Sequence, residues 1–538
     1  MKLVTAEQMR ALEQRAVDAG TSLDELMQAA GLAVAQEAWL SLGVVAGRRI
    51  LVLVGPGNNG GDGLVAERHL AEWEGDVVVY MLAARDASDA NLRAVRELGV
   101  PVYVASEDES YRALGDAIGR AEMIIDALLG IGRSRPITGA MAEILERLHD
   151  AQGRPPAPRV IAVDLPTGVD ADSGRADPLP VRADMTVTFG FAKVGLYTLP
   201  GSEYAGKVQV IDIGLPKGAE SDVRVELPGP TWVRDRLPAR PVDGNKGTFG
   251  RVLVVAGSPN YVGAARMAAE GCYRAGAGLV TIACDERVQA AVAPALPEAT
   301  YLPRAARAEA IVDALSRYDV LLVGPGLGQS DETRALVFDV LSRVPDSVRG
   351  CVVDADALNA LARVDAWSER VRARCVLTPH PGEMARLTAS TVSAVQDDRL
   401  NTALRAASGW GQVVVLKGAH TIVADADGAA AVSPFANPLL ATAGTGDVLA
   451  GVIAGLLAQG APAFDAAACG VYVHAMAGEE LRDDLGDRGL LASDLLPMIP
   501  RVIKIIREGR PMRTAASPFG GGFEALAGLG GAAPQSAG

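Results

Sequence analysis

Short, uninterrupted apolar runs alternate with longer stretches of helical period along most of the chain. Thr5 to Ala19 has the helical period, with Thr5 as N-cap and Gly20 as terminator. Ser22-Leu23-Asp24-Glu25 forms a capping box that opens a second helix, Leu23 to about Leu42. The pattern then changes. Arg49–Val54 reads as a strand, Gly55 to Gly63 as a glycine-rich turn, and Leu64–Trp73 as a helix. Strands recur at Asp76–Leu82, Val100–Val104, Met123–Ala127 and Val160–Asp164, with helices at Asn91–Leu98, Tyr111–Gly119 and Met141–Ala151 between them. Apolar strands separated by helices predict a parallel sheet covered on both faces.

Lys217 to Pro241 interrupts this rhythm with proline and charge and reads as a linker or domain edge. A second strand–helix series follows, with strands at Arg251–Ala256, Leu279–Ala283, Val320–Val323, Cys351–Asp354, Val376–Thr378 and Gln412–Leu416. No internal repeat relates the two series. Thr514 to Gly538 is rich in Gly, Ala and Ser, with little to bury, and is expected to be disordered. The division expected is 1–220, 221–510 and a tail over 511–538.

Length supports that division, because 538 residues exceed one hydrophobic core. A hydrophobic content of 49% and a charged content of 22% fit an ordinary globular protein. The formal charge of −14 argues against nucleic acid and against acidic membranes as partners. Any anionic ligand must then be held by backbone N–H groups and a few basic side chains. The five cysteines, Cys272, Cys284, Cys351, Cys375 and Cys469, form no CxxC pair and read as buried thiols in a reducing compartment. The first twenty residues lack a signal-peptide core, and no apolar run is long enough to span a membrane. A cytoplasmic protein is expected.

In parallel sheets of this type ligands bind at the C-terminal strand ends. In the first series those ends carry Asn58, Asn59 and Asp62, then Asp126, then Asp164 and Thr167. Each Asp alone reads as well as a helix cap. Several on adjoining strands favour a shared site, whose oxygens suit a hard monovalent cation or Mg²⁺. Lys193 follows a late strand and either reaches that edge or is a solvated loop lysine. In the second series Gly444-Thr445-Gly446-Asp447 opens an apolar helix, an arrangement that presents free N–H groups to a phosphate. Asp447 is either a cap of that helix or a base beside the phosphate. Lys417 stands at a strand end, where it neutralises a phosphate. His380, between two prolines, lies in an extended loop outside the core; the role of His420 is left open.

Gly57-Asn58-Asn59-Gly60-Gly61-Asp62-Gly63, Asp126-Ala127-Leu128-Leu129-Gly130, Asp164-Leu165-Pro166-Thr167-Gly168 and the Lys193 segment, taken in that order, resemble the NAD(P)H-hydrate epimerase domain over residues 1–215. The resemblance implies a Rossmann-like three-layer fold, interconversion of the R and S hydrates of NADH and NADPH, and a bound K⁺. It implies Asn59, Asp126 and Thr167 as K⁺ ligands; Thr167 stands where many relatives have Ser, and both offer a hydroxyl. It implies contacts to the hydrated dinucleotide from Asn58, Asn59, Gly60, Gly61 and Asp62, from Gly130, Ile131, Gly132, Arg133, Ser134, Arg135 and Pro136, and from Asp164. Asp164 and Lys193 are the candidate proton-transfer pair.

Residues 225–508 resemble the ribokinase-like superfamily through Gly324–Gly328, Lys417–Thr421 and Gly444–Asp447. Asn245–Gly250 and Thr378–Glu383 bring them nearer to its ADP-dependent NAD(P)H-hydrate dehydratase branch. Here the resemblance implies an α/β fold that uses ADP and Mg²⁺. Ala264, Gly326 or Gly328, His380 and Asp447 would bind the hydrate. Lys417, Gly418, Ala419, His420, Thr421 and Gly446 would hold the adenine nucleotide, and Asp447 would act as general base. The function implied is repair of NAD(P)H hydrates by a bifunctional enzyme, expected to be a homo-oligomer. The rival reading is a ribokinase-like small-molecule kinase fused to a noncatalytic binding module.

Overall fold

The computed structural model describes residues 1–132, 136–303, 308–371 and 373–510. The expected tail over 511–538 lies outside the described residues. The chain divides into two compact units, the first being Met1–Val223 and the second starting at Arg224.

Among the described residues the first unit is built on a seven-stranded sheet, all of whose neighbours are parallel. Its spatial order is Val102–Val104, Asp76–Met81, Arg49–Val54, Met123–Ala127, Arg159–Val163, Met185–Phe189 and Lys207–Ile211. The chain starts the sheet at Arg49–Val54, builds outward on one side, and returns to build on the other. The crevice at that reversal, between Arg49–Val54 and Met123–Ala127, is where a doubly wound sheet binds its ligand. Ile50 to Val54 are all buried, the signature of a strand covered on both faces. The first two helices, Ala6–Asp18 and Leu23–Leu42, begin with the capping boxes of Thr5 and Ser22 that their sequence predicts.

One expectation is corrected here. The glycine-rich segment after the first strand is no extended turn: the helix runs from Asn58 to Glu72, so Asn58 to Gly63 form its first turns. Small residues there let the helix end settle onto the sheet, and Gly63 lies against Ala127.

The second unit holds a ten-stranded sheet among the described residues. Its central strands are parallel and run in the order Val413–Leu416, Cys375–Leu377, Gly350–Val353, Val320–Val323, Arg251–Val255, Leu279–Cys284 and Thr300–Pro303. Antiparallel Ile422–Ala424 and Ala430–Val432 extend one edge, and Val225–Glu226 closes it. Of the two readings of Lys217–Pro241, linker or domain edge, the linker one is corrected: the segment spans the division between the units at Val223 and Arg224 but is itself structured. Lys217–Pro241 contains that edge strand and the helix Pro230–Arg236, whose Val233 is buried in the core.

Helices Val262–Ala275 and Thr445–Ala458 pack backbone to backbone beneath the second sheet. A Cβ at Gly451 would stand 2.2 Å from the Ala268 carbonyl oxygen, so only glycine permits this approach. Helix Ala463–Leu485 covers Thr445–Ala458, with residues from Ala466 to Glu480 buried, and helix Ala492–Glu508 packs against Val262–Ala275. This apolar stack fixes the position and direction of the N-terminus at Gly444–Asp447. Cys272, Cys351, Cys375 and Cys469 are free and buried as expected, whereas Cys284 is half-buried.

Candidate active sites

In the first unit the expected residues converge on the reversal point of the sheet. Asp126 ends the strand Met123–Ala127 and is fully buried. Its Oδ1 accepts from the Thr167 hydroxyl at 2.7 Å and its Oδ2 from the Thr167 N–H at 2.8 Å. Burial raises the carboxyl to about 6 against these hydrogen bonds, and no cationic side chain offsets it. Asn59 lies beside Gly130, where a Cβ would be 3.0 Å from Asn59 Oδ1. The buried Asn59 amide nitrogen has no partner among the described residues. A carboxylate, a hydroxyl and an amide, buried and short of compensating charge, fit a dehydrated monovalent cation. Among the described residues no cluster of three acidic, His or Cys side chains suits a multivalent metal.

Asp164 and Lys193 form a buried ion pair next to this group, with Lys193 1% exposed. The reading of Lys193 as a solvated loop lysine is thereby overturned. Its ammonium also donates to the Thr188 hydroxyl at 3.1 Å and the Phe189 carbonyl at 3.3 Å. Asp164 adopts φ +66°, a conformation that costs a non-glycine residue and recurs at functional sites. Burial, reinforced by Asp164 and Glu13, holds Asp62 well above the carboxylate range. Burial likewise raises Glu13, which feels Lys193 and Asp164 from the first helix. Arg85, just after the second strand of the series, donates to the carbonyls of Gly55 at 2.8 Å and Gly57 at 3.0 Å and pairs with Asp89. Gly130, Ile131, Gly132 and Pro136 border the crevice in sequence, whereas Arg133, Ser134 and Arg135 lie outside the described residues.

The second unit gathers its acids around one cation. Lys417 Nζ donates to Asp354 Oδ1 at 2.7 Å and stands 4.0 Å from Glu383. Thr378 donates its hydroxyl to the same Asp354 oxygen at 2.7 Å. Burial works to lower the Lys417 ammonium, but Asp354, Glu383 and Asp447 together raise it. The carboxyl of Asp447 is raised to about 7 by burial, then by Asp354, against the pull of Lys417, with Asp356 adding. Glu383 is raised to about 7, first by burial.

Asp447 lies in the first turn of helix Thr445–Ala458, which has no side-chain cap. Its carboxylate accepts no hydrogen bond from the described residues, so the cap reading has no support. The N–H groups of Gly446 and Asp447 likewise find no acceptor there. Gly446 adjoins Lys417: a Cβ on it would stand 3.4 Å from Nζ. Across the cleft, Gly326 packs against Ala264 and Tyr261, and the Gly328 N–H donates to Asp356 at 2.8 Å. Ala355, between Asp354 and Asp356, is held at φ +50°.

His380 is extended (φ −78°, ψ 167°) and lies outside the core, as expected, and it also has a capping role that its sequence did not show. It is the N-cap of helix Pro381–Leu387, its Nδ1 accepting from Gly382 and Glu383, while its Nε2 side remains half exposed toward Glu383. His420 turns inward. It is 7% exposed, with Nδ1 3.0 Å from the Ser433 carbonyl. Gly418, Ala419 and Thr421 continue this loop, and Thr421 donates to the Gly418 carbonyl at 2.7 Å.

Two residues that sequence reasoning missed support the loops from behind. Arg399 is 5% exposed and donates to the carbonyls of Leu416 and Lys417 at 3.1 and 3.2 Å. His474 bonds to Thr445 from the covering helix. For His474 the available signal was a basic residue inside an apolar helical pattern, which marks a buried polar group with a task; Arg399, at a polar helix start, carried none.

Residues 23–195 match the family model described as YjeF-related protein N-terminus, and residues 252–501 match that of NAD(P)H-hydrate dehydratase. The bifunctional NAD(P)H-hydrate repair enzyme Nnr of Moorella thermoacetica is 39% identical over 526 residues, covering 94% of this chain and 98% of its own. That of Escherichia coli is 34% identical over 500 residues, covering 93% of each. Among solved structures, the ADP/ATP-dependent NAD(P)H-hydrate dehydratase of Bacillus subtilis, co-crystallised with ATP and Mg²⁺, is 33% identical. It covers 52% of this chain and 99% of its own, with a TM-score of 0.47.

Proposed function

The chain belongs to the family of bifunctional NAD(P)H-hydrate repair enzymes, and we propose that its two activities are divided between its two units. The first unit interconverts the R and S hydrates. The second dehydrates the S hydrate with the help of a nucleotide, preferentially ADP, giving AMP and phosphate. The observation that carries the reading is the convergence, at one helix N-terminus, of Asp447, Lys417 and the N–H groups of Gly446 and Asp447, which have no acceptor among the described residues. Close relatives over nearly the whole chain weigh against a kinase fused to a noncatalytic module.

In the second unit the hydrate's ring hydroxyl is the nucleophile. Asp447 takes its proton as general base while the oxygen forms a bond to the terminal phosphorus of the nucleotide. The phosphorus–oxygen bond to AMP breaks, and its electrons leave with AMP. Phosphate then departs from the ring carbon with its bonding electrons, and loss of a ring proton restores the double bond. The Gly446 and Asp447 N–H groups and the Lys417 ammonium face charge that develops on the phosphoryl oxygens. Ala264, Gly326, Gly328 and the exposed side of His380 line the hydrate's place, and Lys417 to Thr421 the nucleotide's. Mg²⁺ would bind mainly phosphate oxygens, as this ion prefers, with Asp354 and Asp356 the adjoining acids.

In the first unit inversion at the hydroxyl-bearing carbon needs a proton acceptor and a donor at one site. Asp164 and Lys193 fill these roles, with Asp62 beside them. Asn58 to Asp62, Gly130 to Pro136 and Asp164 contact the dinucleotide. Asn59, Asp126 and Thr167 would hold K⁺, which would neutralise the buried carboxylate and fix the loops around it. The reading extends to a cytoplasmic protein, supported by five free thiols, and to a homo-oligomer. Incubation with the S hydrate, ADP and Mg²⁺ tests the central step by the return of NADH absorbance. No return from a folded protein would overturn it.

A further inference from the structure

From Ala466 to Gly478 helix Ala463–Leu485 is an apolar wall, mostly alanine, glycine and valine with Cys469, Tyr472 and Met476. His474 breaks that wall. Its imidazole is 6% exposed, with Nε2 3.0 Å from the carbonyl oxygen of Thr445. A carbonyl only accepts, so Nε2 carries the hydrogen and donates it. Burial lowers the imidazole to about 4, and Lys417 pushes it the same way, so the ring is neutral at working pH. An imidazole buried among alanines costs free energy unless its hydrogen bond does something that packing alone would not.

What it does follows from peptide geometry. Thr445 is already pinned on its side-chain end, its hydroxyl donating to the carbonyls of Leu440 and Thr442 at 2.9 Å each. His474 adds a hold on its carbonyl. Across a planar trans peptide the carbonyl and the following N–H point in opposite directions. A Thr445 oxygen fixed on the His474 side therefore aims the Gly446 N–H away from it, out of the open end of the helix. That N–H has no acceptor among the described residues, and Gly446 borders the Lys417 ammonium. We infer that His474 is a positioning residue for phosphoryl transfer, acting through the Thr445–Gly446 peptide to hold the Gly446 N–H on the transferred group.

The inference rests on reading the Gly444–Asp447 turn as the phosphoryl site, and the test separates the two. His474→Leu, His474→Gln and Asp447→Asn are compared with the parent chain in steady-state dehydration of the S hydrate with ADP and Mg²⁺. Each is assayed well below its own melting temperature. Loss of orientation lowers kcat of His474→Leu by about 10- to 100-fold and leaves KM for ADP within about threefold. His474→Gln, which keeps a side-chain N–H donor, recovers most of that loss. Parent-like kcat in His474→Leu, with Asp447→Asn inactive, overturns the inference alone. An equal loss of kcat in the leucine and glutamine variants also overturns it, because His474 then only fills space. Parent-like kcat in Asp447→Asn overturns the underlying reading. If His474→Leu does not fold, His474→Asn, whose amide is too short for the carbonyl, replaces it with the same outcomes.

Discussion

The Lys417 ammonium stands 2.7 Å from Asp354 and 4.0 Å from Glu383, so one cation is shared between two buried acids. Asp447 adds a third acid to the same cation. The cleft therefore carries more negative than positive capacity before any nucleotide enters. Two consequences follow: burial, joined by the neighbouring Asp354, raises Asp447 and Glu383 to about 7, and a phosphate ligand needs a metal ion of its own.

The pH dependence of dehydration reads the first consequence. Asp447 must be ionised to accept a proton, so kcat/KM rises with pH through about 7 and then levels. Asp356→Asn removes one of the charges that raise Asp447 and moves the inflection to lower pH. Glu383→Gln keeps its helix cap and leaves the inflection in place.

Removing the shared cation strands its partners. Lys417→Met leaves Asp354, 1% exposed, without its cation, and is expected to cost about 3 kcal/mol in denaturant unfolding. Lys417→Met combined with Asp354→Leu recovers much of that stability and none of the dehydratase activity.

Glu67 governs a stability that has nothing to do with catalysis. It is fully buried on helix Asn58–Glu72, both carboxyl oxygens are without a partner among the described residues, and burial raises it to about 8. Its folded pKa lies above its unfolded value, so its protonated form is favoured by folding. That stability is fully present below about pH 4.5 and is lost as pH rises through about 8, on the order of 4 kcal/mol in all. Glu67→Leu removes this pH dependence and raises the melting temperature at pH above about 7, as thermal unfolding across pH will read.

The cation reading for the first unit has its own test. R-to-S exchange is expected to rise with K⁺ over an equal concentration of a bulky organic cation. Asp126→Ala removes both the K⁺ response and about 10-fold or more of the exchange rate. Exchange that is unchanged in Asp126→Ala contradicts the assignment of Asn59, Asp126 and Thr167.

Much of this architecture was legible in local pattern. Ile50–Val54 and Val320–Val323 read as buried parallel strands because both faces of a central strand are apolar. Thr5 and Ser22 marked their helices because capping is a local interaction. What failed was what depends on distant partners. Asn58–Gly63 looks like a turn because its glycines disfavour helix, yet packing on the sheet makes it one. Val225–Glu226 looks like linker because its partner strand, Ala430–Val432, lies two hundred residues away. The site residues lay within readable motifs, but Lys193 and Asp164 become a pair, and His474 meets Thr445, only once the chain is folded.

The division of labour between the units is tested most directly with purified S hydrate, ADP and Mg²⁺, followed by the return of NADH absorbance. The account predicts parent-like recovery in Asp126→Ala and recovery reduced about 1,000-fold in Asp447→Asn. Recovery at the parent rate in a folded Asp447→Asn would contradict it.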